Sequence, residues 1–213
     1  MKFVPFLSPD DVRAAVPAVV GHLRSGGIVA YPTETVYGLG CLLRHDALER
    51  LASIKGRTDD KPFLVLVGTE TDLAGVCWPD AARRLADAFW PGPLTLALPV
   101  ASGTFHPRVV GPGNTVAVRK TSHPAVRELL LALREPLTST SANAAGAPAA
   151  LTAADAAAVL RGAGAADAWI LDGGTLAASQ PSTLVDCSVQ PPRLVREGAI
   201  PLGDLAKVVR VNG

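Results

Sequence analysis

The sequence lacks the cysteine and histidine patterns that build disulfide frameworks and metal sites. Its three cysteines, Cys41, Cys77 and Cys187, are far apart and odd in number, and no CxxC pair occurs. The histidines show neither HxH nor HxxxH spacing. These absences argue against a disulfide scaffold and against a zinc or histidine-rich site. A reducing cytoplasm is therefore the expected location.

A charge excess and long apolar runs are also missing. The chain of 213 residues has 20 Lys and Arg against 19 Asp and Glu, a formal net charge of +1. No run of about 18 apolar residues occurs, and Pro5 breaks an apolar start that is too short for a signal peptide. We therefore expect no membrane association, and any anion site must come from a local cluster of charge.

The familiar nucleotide and nucleophile motifs are absent as well. There is no GxxxxGK[ST] and no GxSxG, and Gly38-Leu39-Gly40 is followed by Leu43 where GxGxxG requires glycine. Any nucleotide would therefore have to be bound largely by side chains, and no covalent serine nucleophile is expected.

The elements that are present predict one α/β domain over residues 1–213. Ser8 is a good N-cap for a helix that stops at Gly26-Gly27, and Asp46 is expected to cap a second helix that ends at Gly56. Further helices are predicted over 79–89, 123–134 and 152–160, and strands from Ile28 and over 62–67, 94–99, 115–118, 137–140, 169–171, 183–185 and 194–195. The strand spacing is too irregular for a barrel of eight βα units.

The segment IKGRTDDKP, residues 54–62, concentrates charge in a chain that is otherwise only 18% charged. Lys55, Arg57, Asp59, Asp60 and Lys61 all fall within it. Taken alone, this pattern favours a solvated loop whose acids and bases pair with one another. An anion-binding loop is the alternative.

Three further polar clusters follow apolar segments, where α/β proteins place ligands. They are YPTETVYG at 31–38, VAVRK at 116–120 and STSANAAG at 139–146. In the second, the planar fork of Arg119 suits a carboxylate or a phosphate. For each cluster, a plain polar turn or a surface pair of bases is the competing interpretation.

The ordered set of motifs resembles the YrdC-like family. PTETVYGLG, KGR…KP, WPGPLT, VAVR…HP, STSAN..G, PSTLVD and REGAI occur in the family order over about residues 26–198. The resemblance implies an open twisted mixed sheet with flanking helices and a deep basic groove. The chain is most similar to the short single-domain members.

Characterised members of that family are L-threonylcarbamoyladenylate synthases. The resemblance implies a reaction of L-threonine, bicarbonate and ATP, with Mg²⁺, to give threonylcarbamoyl-AMP and pyrophosphate. A threonylcarbamoyl transferase complex would then modify adenosine 37 of tRNA. Weak tRNA or double-stranded RNA binding is implied as a further interaction.

Residue roles are implied position by position. The threonine site would comprise Thr35, Arg119, Ser141 and Ser182. The ATP site would comprise Lys55, Arg57, Lys61, Thr115, Asn143 and Arg196, with Lys55 and Arg57 carrying the catalytic charge. The resemblance names neither a metal ligand nor a general base, and it leaves Asp59 and Asp60 without a role.

Two positions depart from the family pattern: Leu66 stands where histidine is frequent, and Thr121 stands where proline is usual. Two other functions are alternatives. A paralogue in another carbamoyl-transfer pathway, such as hydrogenase maturation, is disfavoured by the absence of zinc-finger CxxC pairs. A non-catalytic RNA-binding module is disfavoured by the near-zero net charge.

Overall fold

A computed structural model describes residues 1–56 and 61–213 of the chain. In these residues an 11-stranded mixed sheet has the order β1-β9-β2-β3-β8-β4-β7-β5-β10-β11, with β6 paired to β7. The strands are β1 Lys2–Pro5, β2 Val29–Tyr31, β3 Gly38–Gly40, β4 Leu64–Leu66, β5 Leu94–Pro99, β6 Val110–Gly111, β7 Thr115–Arg119, β8 Leu137–Ser141, β9 Trp169–Asp172, β10 Thr183–Asp186 and β11 Arg193–Arg196.

Helices cover both faces of this sheet. They are α1 Pro9–Arg24, α2 His45–Lys55, α3 Asp80–Phe89, α4 Pro124–Leu133, α5 Ala153–Gly162 and α6 Leu202–Ala206. Side chains alternate along a strand, so Val29 packs with α1 and α4 while Ala30 packs with α2, α3 and α5. The predicted α/β fold with a mixed sheet and flanking helices is confirmed. In the described part of the chain, no helix combines the length and apolar character needed to span a membrane.

The helix boundaries follow local capping chemistry, with one correction. Ser8 caps α1 as predicted, because its Oγ accepts from Asp11 N at 3.1 Å while the Asp11 carboxylate accepts from Ser8 N at 3.0 Å. The cap predicted at Asp46 is wrong: α2 begins at His45 after Arg44, and Asp46 lies in its first turn. There its charge favours the positive helix end without a capping bond. Gly56 ends α2 in the left-handed conformation, φ 55°.

The sequence patterns did not predict three of the strands, the two-residue β6 and the longer β1 and β3. Strand β1 buries only Val4 of its four residues, so it shows little periodicity. Strand β3 reads Gly-Leu-Gly, a poor strand former. Its glycine has a steric reason, since a Cβ on Gly40 would lie 2.2 Å from Thr138 O. Only glycine allows β3 to approach β8 this closely.

The connection between β9 and β10, residues 173–182, crosses the sheet. Tyr37 Oη donates to Gly174 O at 2.8 Å, and Leu176 N donates to Leu151 O at 2.8 Å. Further along, Ser179 Oγ donates to Thr35 O at 3.2 Å. We call this segment the crossing connection. It holds the loop that follows β2 in place.

A pair of histidines links α2 to the turn before β6. His106 Nδ1 accepts from Arg108 N at 3.2 Å, so the neutral ring carries its proton on Nε2 and donates to His45 Nδ1 at 2.9 Å. Arg108 also pairs with Glu49 through Nε at 3.0 Å and Nη2 at 2.9 Å. Protonation would therefore point a second N–H of His106 at the Arg108 N–H.

Acidification is expected to weaken the hydrogen bond that His106 Nδ1 accepts from Arg108 N. Burial, and then the neighbouring His45, lower the pKa of His106 below its ordinary 6.5. The unfolded chain therefore binds more protons in this range, and stability falls as the pH drops below about 6.5. The melting temperature should decrease between about pH 7.5 and about pH 5.5, and less steeply in His106→Gln. Identical slopes for the two proteins would contradict this origin.

Candidate functional site

A cavity of about 990 Å³ lies on the sheet face that α1 and α4 partly cover. Leu64 marks the junction, because it lines the cavity and packs against the core under those helices. Every second residue of a strand points to one face, so Ala117 lines the cavity beside Arg119, and Ser139 beside Ser141. The small side chains among these residues leave the floor of the cavity open.

The cavity brings together much of the predicted site. Its lining includes Thr35, Lys61, Arg119, Ser141, Ser182 and Arg196. Lys55, Thr115 and Asn143 lie outside the lining. The Thr115 hydroxyl instead donates to Pro112 O at 3.0 Å. Arg57, Asp59 and Asp60 fall outside the described residues.

Strands β10 and β11 supply one end of the cavity. Arg196 Nε and Nη2 donate to Ser182 O at 3.2 and 2.8 Å, and Ser182 Oγ lies 2.9 Å from Thr95 Oγ1. Desolvation, and then the positive charge of Arg119, lower the pKa of Arg196. Two guanidinium groups therefore act on the same space, which favours an anionic ligand.

Thr183 forms the support beneath that end. It is fully buried, and its Oγ1 accepts from Gly198 N and Ile200 N at 3.0 Å each while donating to Ile200 O at 2.7 Å. One hydroxyl thus satisfies three backbone groups of the segment after β11. Because Thr183 follows Ser182 directly, this network also sets the position of the cavity wall.

A second wall is the loop after β2. Thr33 Oγ1 accepts from Thr35 N and Val36 N at 3.2 Å each and donates to Val36 O at 2.7 Å. The Thr35 hydroxyl lies 3.0 Å from Thr33 Oγ1. These bonds make a turn that presents Thr35 to the cavity, and the crossing connection closes over it through Ser179.

Lys55 occupies a corner beside the cavity. Its Nζ donates to Ser141 O at 2.7 Å, Asn143 O at 2.6 Å and Asn143 Oδ1 at 2.9 Å. The same Oδ1 accepts from Ser141 Oγ at 2.7 Å, and Asn143 Nδ2 donates to Ala147 O at 2.7 Å. In this arrangement Lys55 orients the S-x-N turn. Its direct contact with phosphate stays a prediction.

Arg119 lies in the middle of the cavity floor and is only 4% exposed. Its Nε is 3.7 Å from Glu34 Oε1, and Glu34 Oε2 accepts a hydrogen bond from Thr121 Oγ1. Sequence reasoning proposed no role for either partner. Glu34 could have been suspected, because it is an acid inside the hydroxyl-rich stretch PTETVYG. Thr95, which lines the cavity beside Ser182, could not, because nothing distinguishes it within its apolar strand.

Comparison with known proteins decides the family. The family model Sua5/YciO/YrdC, described as "Telomere recombination", matches residues 21–198. The chain belongs to this family. Its fold and ordered motifs agree with the resemblance inferred from the sequence.

Relatives within the Sua5/YciO/YrdC family carry named activities. The threonylcarbamoyl-AMP synthase of Pyrococcus abyssi (strain GE5 / Orsay) is 38% identical over 193 residues, covering 89% of this chain and 55% of that protein. The threonylcarbamoyl-AMP synthase of Chromohalobacter salexigens is 41% identical over 184 residues, covering 83% and 95%. The structure of P. abyssi Sua5 complexed with L-threonine has a TM-score of 0.86 at 33% identity, covering 100% of this chain and 63% of that one. This chain therefore spans little more than half of the P. abyssi relative.

The lining of the cavity suits anions held by fixed cations and neutral hydroxyls. Lys61, Arg119 and Arg196 supply the charge, and Thr35, Ser141 and Ser182 supply hydroxyls that orient a ligand without adding charge. No carboxylate of the described residues lines the cavity. Within the same residues, no group of three His, Cys, Asp or Glu side chains could hold a metal.

Proposed function

We propose that this protein synthesises threonylcarbamoyl-AMP from L-threonine, bicarbonate and MgATP, releasing pyrophosphate. The observation that carries the proposal is the cavity in which the buried Arg119 faces the same space as Lys61 and Arg196. Named relatives that share the family, one of them of nearly the same length, support it. The product would enter the first step of threonylcarbamoyladenosine formation at position 37 of tRNA.

The residues divide into two subsites in this proposal. Arg119 pairs with the threonine carboxylate, and the hydroxyls of Thr35, Ser141 and Ser182 orient the amino acid. Lys61 and Arg196 contact the nucleotide, together with Arg57 from the undescribed segment and with Lys55, Thr115 and Asn143 at the rim. The deep basic groove expected from the resemblance would run along this second subsite.

The chemistry needs positioning and charge stabilisation. The free amino group of threonine attacks the carbon of bicarbonate, an N–C bond forms, and one water leaves to give a carbamate. A carbamate oxygen then attacks the α-phosphorus of ATP, and the bond to pyrophosphate breaks. Both steps move negative charge between oxygens, so fixed cations lower the barrier, and holding three substrates together removes an entropic cost.

Magnesium enters with ATP as part of the substrate. Mg²⁺ commonly keeps several waters and binds through substrate phosphates with one or two carboxylates. The described lining is cationic and hydroxylic, which fits the phosphate oxygens of MgATP rather than a bare ion. Asp59 and Asp60 are the two residues that precede Lys61 in the sequence, and we assign them no role.

The domain organisation, the location and the macromolecular partners are also proposals. Residues 1–213 would form one family domain, located in the cytoplasm. A threonylcarbamoyl transferase complex would consume the product, and tRNA or double-stranded RNA would bind only weakly.

A turnover assay tests the activity. Purified protein is incubated with ATP, Mg²⁺, bicarbonate and each amino acid in turn, and pyrophosphate release is measured. We expect release that requires both threonine and bicarbonate, and threonylcarbamoyl-AMP in the products by mass spectrometry. If the active protein released pyrophosphate without either requirement, the proposal would be wrong.

The charged segment of residues 54–62 provides a second prediction. Lys55→Ala and Arg57→Ala should each lower kcat for pyrophosphate release by about 10- to 100-fold, since each removes a cation near transferring phosphates. Lys207→Ala is the matched control, because that lysine pairs with Asp204 on the exposed surface. Normal turnover by both variants would contradict the phosphate role of this segment.

A further inference from the structure

The buried contacts around Arg119 continue beyond the cavity. Its Nε lies 3.7 Å from Glu34 Oε1, an ion-pair distance too long for a hydrogen bond, and neither atom has a hydrogen-bond partner among the described residues. The other carboxylate oxygen of Glu34 accepts from the Thr121 hydroxyl. Thr121 is fully buried, and its Oγ1 also accepts from His123 N at 3.2 Å. The chain of contacts therefore runs from the start of α4 to the cavity floor.

We infer that Glu34, oriented by Thr121, is a positioning residue that fixes the guanidinium of Arg119 in the cavity. The inference deepens the proposed function and rests on it for the identity of the ligand. It assigns no contact with substrate to Glu34 or to Thr121.

The directions of the two hydrogen bonds at Thr121 Oγ1 support this role. A hydroxyl has one proton to give, and the lone pair of Thr121 Oγ1 that accepts from His123 N restricts the rotor. The single proton is thereby directed at Glu34 Oε2, and the second oxygen of the carboxylate is left to face Arg119 Nε. One oxygen of the Glu34 carboxylate therefore contacts Thr121 and the other contacts Arg119. If the carboxylate rotated, it would lose one of these two contacts.

The arrangement also selects an edge of the guanidinium. Arginine can grip a carboxylate through its two Nη atoms or through Nε and one Nη. Since the ion pair with Glu34 is recorded at Nε, at 3.7 Å, the pair of Nη atoms remains for a ligand in the cavity. A carboxylate would therefore be held end-on, in one orientation relative to the floor of the sheet.

A buried arginine without this partner would be both mobile and uncompensated. Its long side chain has several rotatable bonds, and ordering it costs entropy when a ligand binds. A guanidinium held in advance avoids that cost.

The first experiment measures the Arg119 Nε–H directly and needs no substrate. Hydrogen exchange of arginine Nε–H groups is followed by NMR, with the Arg119 signal assigned through Arg119→Lys. We expect exchange about tenfold faster in Thr121→Val and Glu34→Gln, and within about twofold of the parent in Thr121→Ser, which keeps the hydroxyl. Equal rates in the parent and Thr121→Val would overturn the inference, including when Glu34→Gln fails to fold.

The second experiment reads the consequence for the proposed reaction. Thr121→Val should raise KM for threonine about tenfold while leaving KM for ATP within about twofold, and Thr121→Ser should restore the parent value. In an Arg119→Ala background, Thr121→Val should have no additional effect on KM for threonine. Equal increases in both KM values would mean a general structural role and would overturn the inference. If the parent shows no threonine-dependent turnover, the proposed function fails, and the exchange measurement still decides the positioning role.

Discussion

Replacing Arg119 with alanine is expected to raise KM for threonine by about two to three orders of magnitude, while KM for ATP changes less than about threefold. The guanidinium is almost completely buried, so its hydrogen bonds to a ligand carboxylate form away from water. Removing one partner of such a buried charged pair costs about 2–5 kcal/mol. This loss falls on the threonine subsite and should spare the nucleotide.

Arg119→Lys is the matched variant for that measurement. It keeps the charge but loses the planar fork, so it should recover only part of the threonine affinity. Arg119→Ala also leaves Glu34 buried without its cation, so both variants need a melting temperature measured beside the kinetics. Equal increases in the two KM values of a folded variant would contradict the carboxylate role.

Thr183→Val is expected to lower the free energy of unfolding by about 3–5 kcal/mol, the largest stability effect we predict. Valine has nearly the same shape, but it leaves two backbone N–H groups and one carbonyl of Gly198 and Ile200 without their hydroxyl partner. Each buried group left unpaired costs about 1–3 kcal/mol, and partial relaxation of the segment recovers some of the total.

Urea unfolding of parent and variant provides the measurement. Thr183→Ser is the control, since it keeps the hydroxyl and removes only a methyl group, for a loss of about 1 kcal/mol. Because the network holds Ser182 and the segment after β11, Thr183→Val should also reduce turnover at temperatures where it remains folded. A valine variant within about 1 kcal/mol of the parent would show that other groups satisfy these backbone atoms.

Much of the fold could be predicted from local chemistry. Capping residues such as Ser8 and Gly56 are recognisable by residue type and position, so they predict where a helix begins or ends. The apolar runs of β4, β5 and β7 predict buried strands. The glycine-rich β3 could not be found this way, because its place depends on how closely β8 approaches it. Only the fold reveals that distance.

The candidate site, like the fold, has a part that could be predicted from the sequence and a part that could not. The motif order placed Arg119, Ser141 and Ser182 at one site, and the fold arranges all three around one cavity. Glu34 and Thr121 were missed as partners because they are 87 residues apart in the chain, and the hydrogen bond between them exists only after folding. Lys55 illustrates the converse, since its charge suggested phosphate while its present partners are backbone and amide oxygens.

The crossing connection has a consequence for how the protein is made. It joins strands that are second and ninth in the sheet order, and β10 and β11 can take their places only after the nine strands that precede them in sequence have been synthesised. Until then the apolar strand β5, which β10 covers, would present an open edge on the nascent chain. Open apolar edges favour pairing with other chains. The segment that supplies Ser182 and Arg196 would thus complete the cavity and shield β5 in the same late event, and a chain stopped at Asp172 should aggregate during expression.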